Sequence, residues 1–408
     1  MFFREIDRSA PEGQEAMVLL AATASEALAD AARRMDRMFL LGSPWAPGLW
    51  FVGGQIAGGA DGTFSVGGGG VTFEAALASC AGEAVERTAL IERAGDVTAA
   101  NVGDVATSLS TAGAALAMDL LAQAGRDASA AVDWVTGFDP RTGEPALCPA
   151  DWVLRRSPPG PLVVPGAALS TGTAAGPTRD AALTSAILEL IERDAAALWW
   201  RGGRPARLLP LESPEMAAPA RHLAILRRDS TVRTTRLFDI TTDLGIPAVA
   251  AISTDGAHDA FSCGLGCRLT RAEAAISAVT ELCQGEIGLQ FATQKAAELG
   301  ETALSAADRG HIDRARLVRL DRMPWYAAPI LPDPRVPADG GVAWLVEHLH
   351  THAVTMTVFN ATREAVPVVK VIAPLLQPYP GSIATERLRH TRREFGEGIH
   401  WTNDVSLT

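Results

Sequence analysis

Apolar side chains along this chain recur with two periods. Alanine- and leucine-rich stretches place them every three to four residues, as helices do, while shorter β-branched runs are solid or alternating, as strands are. The pattern predicts helices near 14–34, from Gly70 toward Glu92, and over 104–123, 179–200, 271–292 and 342–350, with a short basic helix over 386–393. Strands are predicted at 49–52, 234–240, 247–253, 354–360 and 368–371. Residues 132–154 read as extended chain with a hairpin turn at Asp139-Pro140-Arg141-Thr142-Gly143, and the proline–glycine cluster 157–166 reads as a loop. Helices and strands mix without strict alternation. An α+β fold, with helices packed on mixed or antiparallel sheets, is therefore expected over a doubly wound one.

Three of the predicted helices carry the same polar spacing. Ser79-Glu83-Glu86, Ser185-Glu189-Glu192 and Ser277-Glu281-Gln284 each place a hydroxyl, a carboxylate, and a carboxylate or amide at steps of four and three. Such steps return to one helix face. Each stripe also follows a glycine-rich stretch: 65–72, 170–178 and 262–270. These read as turns whose backbone N–H groups, with the following helix N-terminus, would cradle a phosphate. Thr270 and Glu273 fit a capping box. The plain alternative is three amphipathic helices with exposed acids. If the stripes instead converge, five carboxylates meet at one place and need cations among them. Hard oxygen ligands with few protein groups suit magnesium carrying phosphates.

Bulk properties narrow the classes. An apolar share of 48% over 408 residues supports a sizeable core, and a formal charge of −11 without a long basic run argues against sequence-independent nucleic-acid binding. Five cysteines, an odd number, point to reduced thiols and a cytoplasmic setting rather than a disulfide framework. Cys263 and Cys267 lack the further ligands a zinc site needs. The apolar run 16–22 faintly mimics a signal peptide, but Glu5, Asp7, Glu12 and Glu15 precede it. No membrane span is predicted.

The ordered set of motifs resembles the YcaO-domain family. The matching stretches are Gly70-Val71-Thr72 through Ser79 to Arg87, Ser170 through Ala174-Ala175-Gly176 to Glu189–Asp194, and Gly264-Leu265-Gly266 to Thr280–Gln284. Asp239 to Pro247 and Val369 to Pro374 support them. The resemblance implies one large YcaO-like domain over 61–395, an N-terminal segment 1–60 belonging to the same unit, and an irregular tail 396–408. It also implies ATP and Mg2+ as cofactors and activation of backbone amides in a ribosomal precursor peptide. Cyclodehydration of Cys, Ser or Thr to azolines is the favoured product. Thioamide or amidine formation, or a degenerate substrate-binding scaffold, are the alternatives. By position, Glu83, Glu86, Glu189, Glu192 and Glu281 would hold metal. Ser79, Glu83, Arg87, Ser185, Glu281 and Gln284 would contact the nucleotide, and Glu189, Glu192 and Arg193 would be catalytic.

Departures from the family pattern qualify this. Gly69 stands at a usual lysine, Pro177 at a usual asparagine and Ala181 at a usual glutamate, with Asp180 beside it as a possible substitute. A proline-rich C-terminal tail is missing, which weakens the azoline reading. Too little chain precedes the first motif for a leader-binding domain, so a partner protein, in a homodimer or hetero-complex, is expected to capture the peptide.

Overall fold

The computed structural model describes residues 2–7, 10–58, 62–101, 131–157, 169–255, 260–337, 341–377 and 384–407, with positions 118, 122 and 125. Most of the expected helix 104–123 and of the expected loop 157–166 lies outside these. In chain order the described elements begin β1 Phe2–Glu5, α1 Pro11–Thr23, α2 Glu26–Arg33, β2 Arg37–Gly42, β3 Trp50–Ala57, β4 Thr63–Gly70 and α3 Phe73–Ala89. Then come β5 Thr98–Asn101, β6 Ala131–Phe138, β7 Pro145–Pro149, β8 Thr173–Ala175, α4 Arg179–Trp200, β9 Ala206–Leu209 and α5 Ala217–Arg227. β10 Thr234–Asp239, β11 Ala248–Thr254, β12 Ser262–Cys267, α6 Arg271–Leu299, α7 Ala306–Leu317 and β13 Trp325–Tyr326 follow. The chain closes with α8 Gly341–Thr351, β14 Thr357–Asn360, β15 Val368–Ile372, α9 Glu386–Phe395 and α10 Ile399–Thr402.

The strands form three sheets, ordered β1-β2-β3-β4, β12-β11-β10-β9-β13 and β5-β6-β14-β15-β8, with β7 paired to β6. Pairing is antiparallel except for β13 beside β9, so the α+β expectation holds. β11 and β15 are buried at every position, as interior strands covered on both faces must be. Residues 1–60 supply β1, β2 and β3, and their cluster of Met35, Met38, Val52 and Ile56 packs under α3 through Leu77 and Cys80. Among the described residues no helix is long and apolar enough to cross a membrane.

Three expectations need correction. The helix expected over 14–34 is two helices, because Ser25 caps the second by accepting from the Leu28 N–H at 3.2 Å. The segment expected as an irregular tail carries α10, whose Trp401 is fully buried. Its ring packs on Trp199 and Trp200 of α4, with centroids 5.2 and 4.7 Å apart, so burial of one large aromatic anchors the segment.

Two of the three glycine-rich stretches are strands rather than the expected turns; the second keeps a turn at Thr171-Gly172. In the first and third, Ser65–Gly70 and Ser262–Cys267 lie within strands β4 and β12. The glycines let a helix lie directly on the strand. A Cβ at Gly68 would collide with the α3 backbone at Cys80 and Ala76, and one at Gly264 with α6 at Leu282 and Ala278.

Candidate active site

Each acidic helix follows its strand through a threonine. Thr72, Thr178 and Thr270 are the N-caps of α3, α4 and α6, accepting from Ala75, Ala181 and Glu273 N–H groups at 3.2, 3.2 and 3.3 Å. The expected capping box is half formed, since Glu273 accepts from the Thr270 hydroxyl at 2.7 Å. From each cap the first acid of the stripe follows at the same interval, at Glu83, Glu189 and Glu281. Three helical turns fold it back over the preceding segment.

There each first acid does the same thing. Glu83 Oε2 accepts the Gly67 N–H at 2.8 Å, Glu189 Oε2 the Gly172 N–H at 2.9 Å, and Glu281 Oε2 the Leu265 N–H at 2.9 Å. Gly172 sits at φ 76°, a conformation that favours glycine, and this turns its N–H toward Glu189. β4, β8 and β12 are all end strands of their sheets. Each helix thus uses one carboxylate oxygen to satisfy a backbone donor at or beside a strand edge; the second oxygen of Glu83 accepts from Arg87, while those of Glu189 and Glu281 accept no hydrogen bond from a described group.

The second position of each stripe points to the next unit. Glu86 Oε1 accepts the Ala175 N–H of β8 at 2.7 Å. Glu192 acts electrostatically on Glu281, Arg268 and Cys267 of the third unit. Gln284 lies on Gly69 of β4, filling the space a side chain would need there. First acids bind their own strand and second positions link units in a ring.

The ring encloses a cavity of about 420 Å3. Glu83, Glu86, Glu189, Glu192 and Glu281 line it, as do Ser185, Arg87 and Arg193. These acids are therefore not dispersed on solvent-facing helix surfaces. Ser79 and Gln284 are not among the lining residues, and neither is the exposed Asp180, so Asp180 does not stand in for Ala181. Two lining arginines had no role in the sequence reading. Arg268 comes from the turn after β12, and Arg155 is brought in by a short bridge pairing it with Ile91.

The electrostatics are costly without a cation. Burial, then the Glu189 and Glu83 charges, push the Glu86 carboxyl up to about 8. Burial and the Glu281 charge push Glu192 up to about 8 as well, and burial raises Glu189 and Glu281. Arg193 is raised despite burial because Glu192, Glu189 and Glu281 surround it. It lies 3.9 Å from Glu189, and its Nε is buried with no hydrogen-bond partner among the described residues. Glu83 is held by Arg87 at 2.9 and 2.7 Å. Glu192 is only 8% exposed, and no described group donates a hydrogen bond to it.

A buried carboxylate without a donor, in an oxygen-lined cavity, fits a hard cation. Among the described residues no three acidic, histidine or cysteine side chains are close enough to hold an ion alone. Magnesium does not require such a cluster, since it keeps waters and takes one or two carboxylates plus substrate phosphates.

A family model described as YcaO cyclodehydratase, ATP- and Mg2+-binding, matches residues 67–377. A curated relative from Rhizobium leguminosarum bv. trifolii, an uncharacterized protein in the tfuA 3′ region, is 30% identical over 239 residues, covering 53% of this chain and 54% of its own length. A heterocyclase solved in complex with substrate and cofactor superposes with a TM-score of 0.69 at 21% identity, over 93% of this chain and 55% of that one. YcaO from Methanopyrus kandleri bound with AMPPCP and Mg2+ superposes with a TM-score of 0.59 at 19% identity, over 90% and 91% of the two chains. The chain spans about half the length of the curated relative and of the heterocyclase. With three quarters of its length matched by the family model, this chain belongs to the YcaO cyclodehydratase family, described as ATP- and Mg2+-binding.

Proposed function

We propose that this chain uses ATP and Mg2+ to activate backbone amides of a ribosomally made precursor peptide, with cyclodehydration of Cys, Ser or Thr to azolines as the favoured outcome. The observation that carries this reading is Glu192, a nearly buried carboxylate to which no described group donates, lining with Glu281 a cavity of ordinary ligand size. Bound magnesium-ATP would supply the γ-phosphoryl group that captures the amide oxygen and turns it into a leaving group.

The chain's own residues would hold, orient and neutralise. Glu83, Glu86, Glu189, Glu192 and Glu281 are the metal-holding groups. Glu83, Glu189 and Glu281 are pre-oriented, because a backbone N–H already fixes one oxygen of each. Arg193, buried among acids with a free Nε, would offset phosphate charge as it shifts between oxygens. Arg87 and the two arginines missed in the sequence, Arg155 and Arg268, widen that positive side of the cavity. Ser185 and Ser277 offer hydroxyls from two of the stripes. A partner chain that captures the peptide leader is part of the proposal.

The test is mass spectrometry of the precursor peptide after incubation with this chain, its genetic neighbours, magnesium and ATP. Loss of one water per ring is expected. Exchange of oxygen for sulfur or nitrogen would move the product to the thioamide or amidine class. Equal modification by Glu192→Gln would make the carboxylates structural and overturn the assignment.

A further inference from the structure

The third acidic stripe does not end at Gln284. Its steps of four and three run on from Ser277, Glu281 and Gln284 to Gly288 and Phe291, so all five lie on one face of α6. The other two stripes have no such continuation. α3 stops at Ala89, and the next positions on α4, Ala196 and Trp199, are buried in the core.

Beyond Glu281 this face of α6 borders a second cavity, of about 1,020 Å3, and Glu281 lines both cavities. Leu41 and Phe51 of the first sheet, with Ile287 and Phe291 of α6, give it an apolar side. The polar side comes from α7 and residues 403–407, tied together where Arg314 donates to the Ser406 carbonyl at 3.2 Å.

Phe51 is held by its own sheet. Its ring lies over Gly67, where a Cβ would come within 2.6 Å of it. Phe291 is not used by the fold, being 38% exposed and absent from every core cluster of the described residues. A lone exposed phenylalanine is ordinary. One that lines a cavity joined to the acidic site, at the end of the acidic stripe, calls for an occupant. Gly285 lines the same cavity, and packing does not demand it. A Cβ there would meet only the Cys263 carbonyl oxygen, at an ordinary 3.5 Å, although glycine weakens a helix interior. The bare backbone keeps α6 low between Glu281 and Phe291.

We propose that Phe291, with Phe51, selects the substrate peptide by holding an apolar side chain four or five residues from the amide that is activated. This rests on the function proposed above. Of the reactants in that reading, only the peptide extends beyond the reacting group, so a cavity continuing from Glu281 is the peptide's. Phe291 lies ten residues along α6 from Glu281, about 15 Å. An extended peptide advances about 3.3 Å per residue, which sets the interval.

The experiment selects displayed peptides, each with one fixed cysteine amid random residues, on the immobilised full chain with magnesium and a non-hydrolysable ATP analogue. Sequencing reads which residues are enriched at each distance from the cysteine. In the natural chain apolar and aromatic residues should be enriched about tenfold at the interval of four or five. Phe291→Ala should flatten that preference. Phe291→Glu should turn it toward Lys and Arg at the same interval, a change that a merely structural role would not produce. Both variants should keep the natural shift of melting temperature with magnesium-ATP; its loss would make Phe291 a structural residue instead. No preference at that interval in the natural chain, or an unchanged one in Phe291→Glu, would overturn the proposal. A natural chain whose melting temperature ignores magnesium-ATP counts against the nucleotide reading, and the enrichment profile still judges the peptide pocket.

Discussion

Replacing Glu192 by glutamine should make the metal-free protein more stable at high pH while removing its response to magnesium. Glu192 titrates at about 8 in the fold, pushed up by burial and by Glu281, against roughly 4.5 in an unfolded chain. The sign follows from proton counting. Between those two values the native state keeps a proton that the unfolded state has lost. Stability is whole below the lower value, falls as pH rises, and levels off above about 8. The slope is about 1.4 kcal/mol per pH unit for one such group and flattens near the folded-state value, so raising pH from 6 to 8 removes roughly 2 kcal/mol. Glutamine carries no proton to lose and relieves Glu281 of its neighbour, so the variant should lack that part of the decline. Glu86, also at about 8, adds a decline common to both proteins, and their difference reports Glu192 together with its effect on Glu281. The assay is thermal unfolding in a chelator across this pH range, repeated with saturating magnesium-ATP. Ligand should restore the natural protein most at high pH, where the carboxylates are ready to bind. Parallel pH profiles for the two proteins would refute the reasoning, because Glu192 would then be ionised in the fold at no cost.

Gly264→Ala should lower unfolding free energy in urea by about 3 kcal/mol or more, because the new methyl collides with the backbone of α6 at Leu282 and Ala278. Trp401→Ala should cost about 3–5 kcal/mol by the same measurement, since a fully buried ring leaves Trp199 and Trp200 facing a cavity. Lys370→Met should reduce the melting shift given by magnesium-ATP although no carboxylate changes. Its Nζ bonds the Leu169 and Thr171 carbonyls at 2.8 and 2.6 Å, holding the turn whose Gly172 N–H fixes Glu189; an undiminished shift would show the turn is held by other means.

The acidic stripes were legible because helical periodicity is local, so a spacing of four and three fixes a face before any tertiary contact forms. Their convergence could be read from repetition alone. The first and third glycine stretches are strands where turns are expected, because a glycine that frees a turn and one that admits a helix look alike in sequence. Only the approach of Cys80 to Gly68, or of Leu282 to Gly264, tells them apart. Ser25 was a legible break, as a serine three residues before Leu28 offers a cap, but the apolar period ran across it. Trp401 gave no local signal, since its partners Trp199 and Trp200 lie two hundred residues away. Arg155 was hidden likewise, reaching the cavity through a bridge to Ile91. Arg268 stood in plain view in the third motif, and its position between Glu192 and Glu281 was the missing information.

The ring of stripes explains why this site belongs to the whole chain and to no single unit. Each first acid is satisfied within its own strand–helix unit, so the units can form separately. The second positions look across units: Glu86 accepts the Ala175 N–H, Gln284 packs on the bare backbone at Gly69, and Glu192 accepts no hydrogen bond from a described group. Two of the three links therefore favour assembly, and the third opposes it by setting Glu192 against Glu281. A protein selected for stability alone would place an amide or an apolar side chain at that third link, as it does at Gln284. Keeping a carboxylate there costs stability at every pH where the group is charged. That cost is offset only when a cation enters, so the position that weakens the empty fold is the one where ligand binding has most to give.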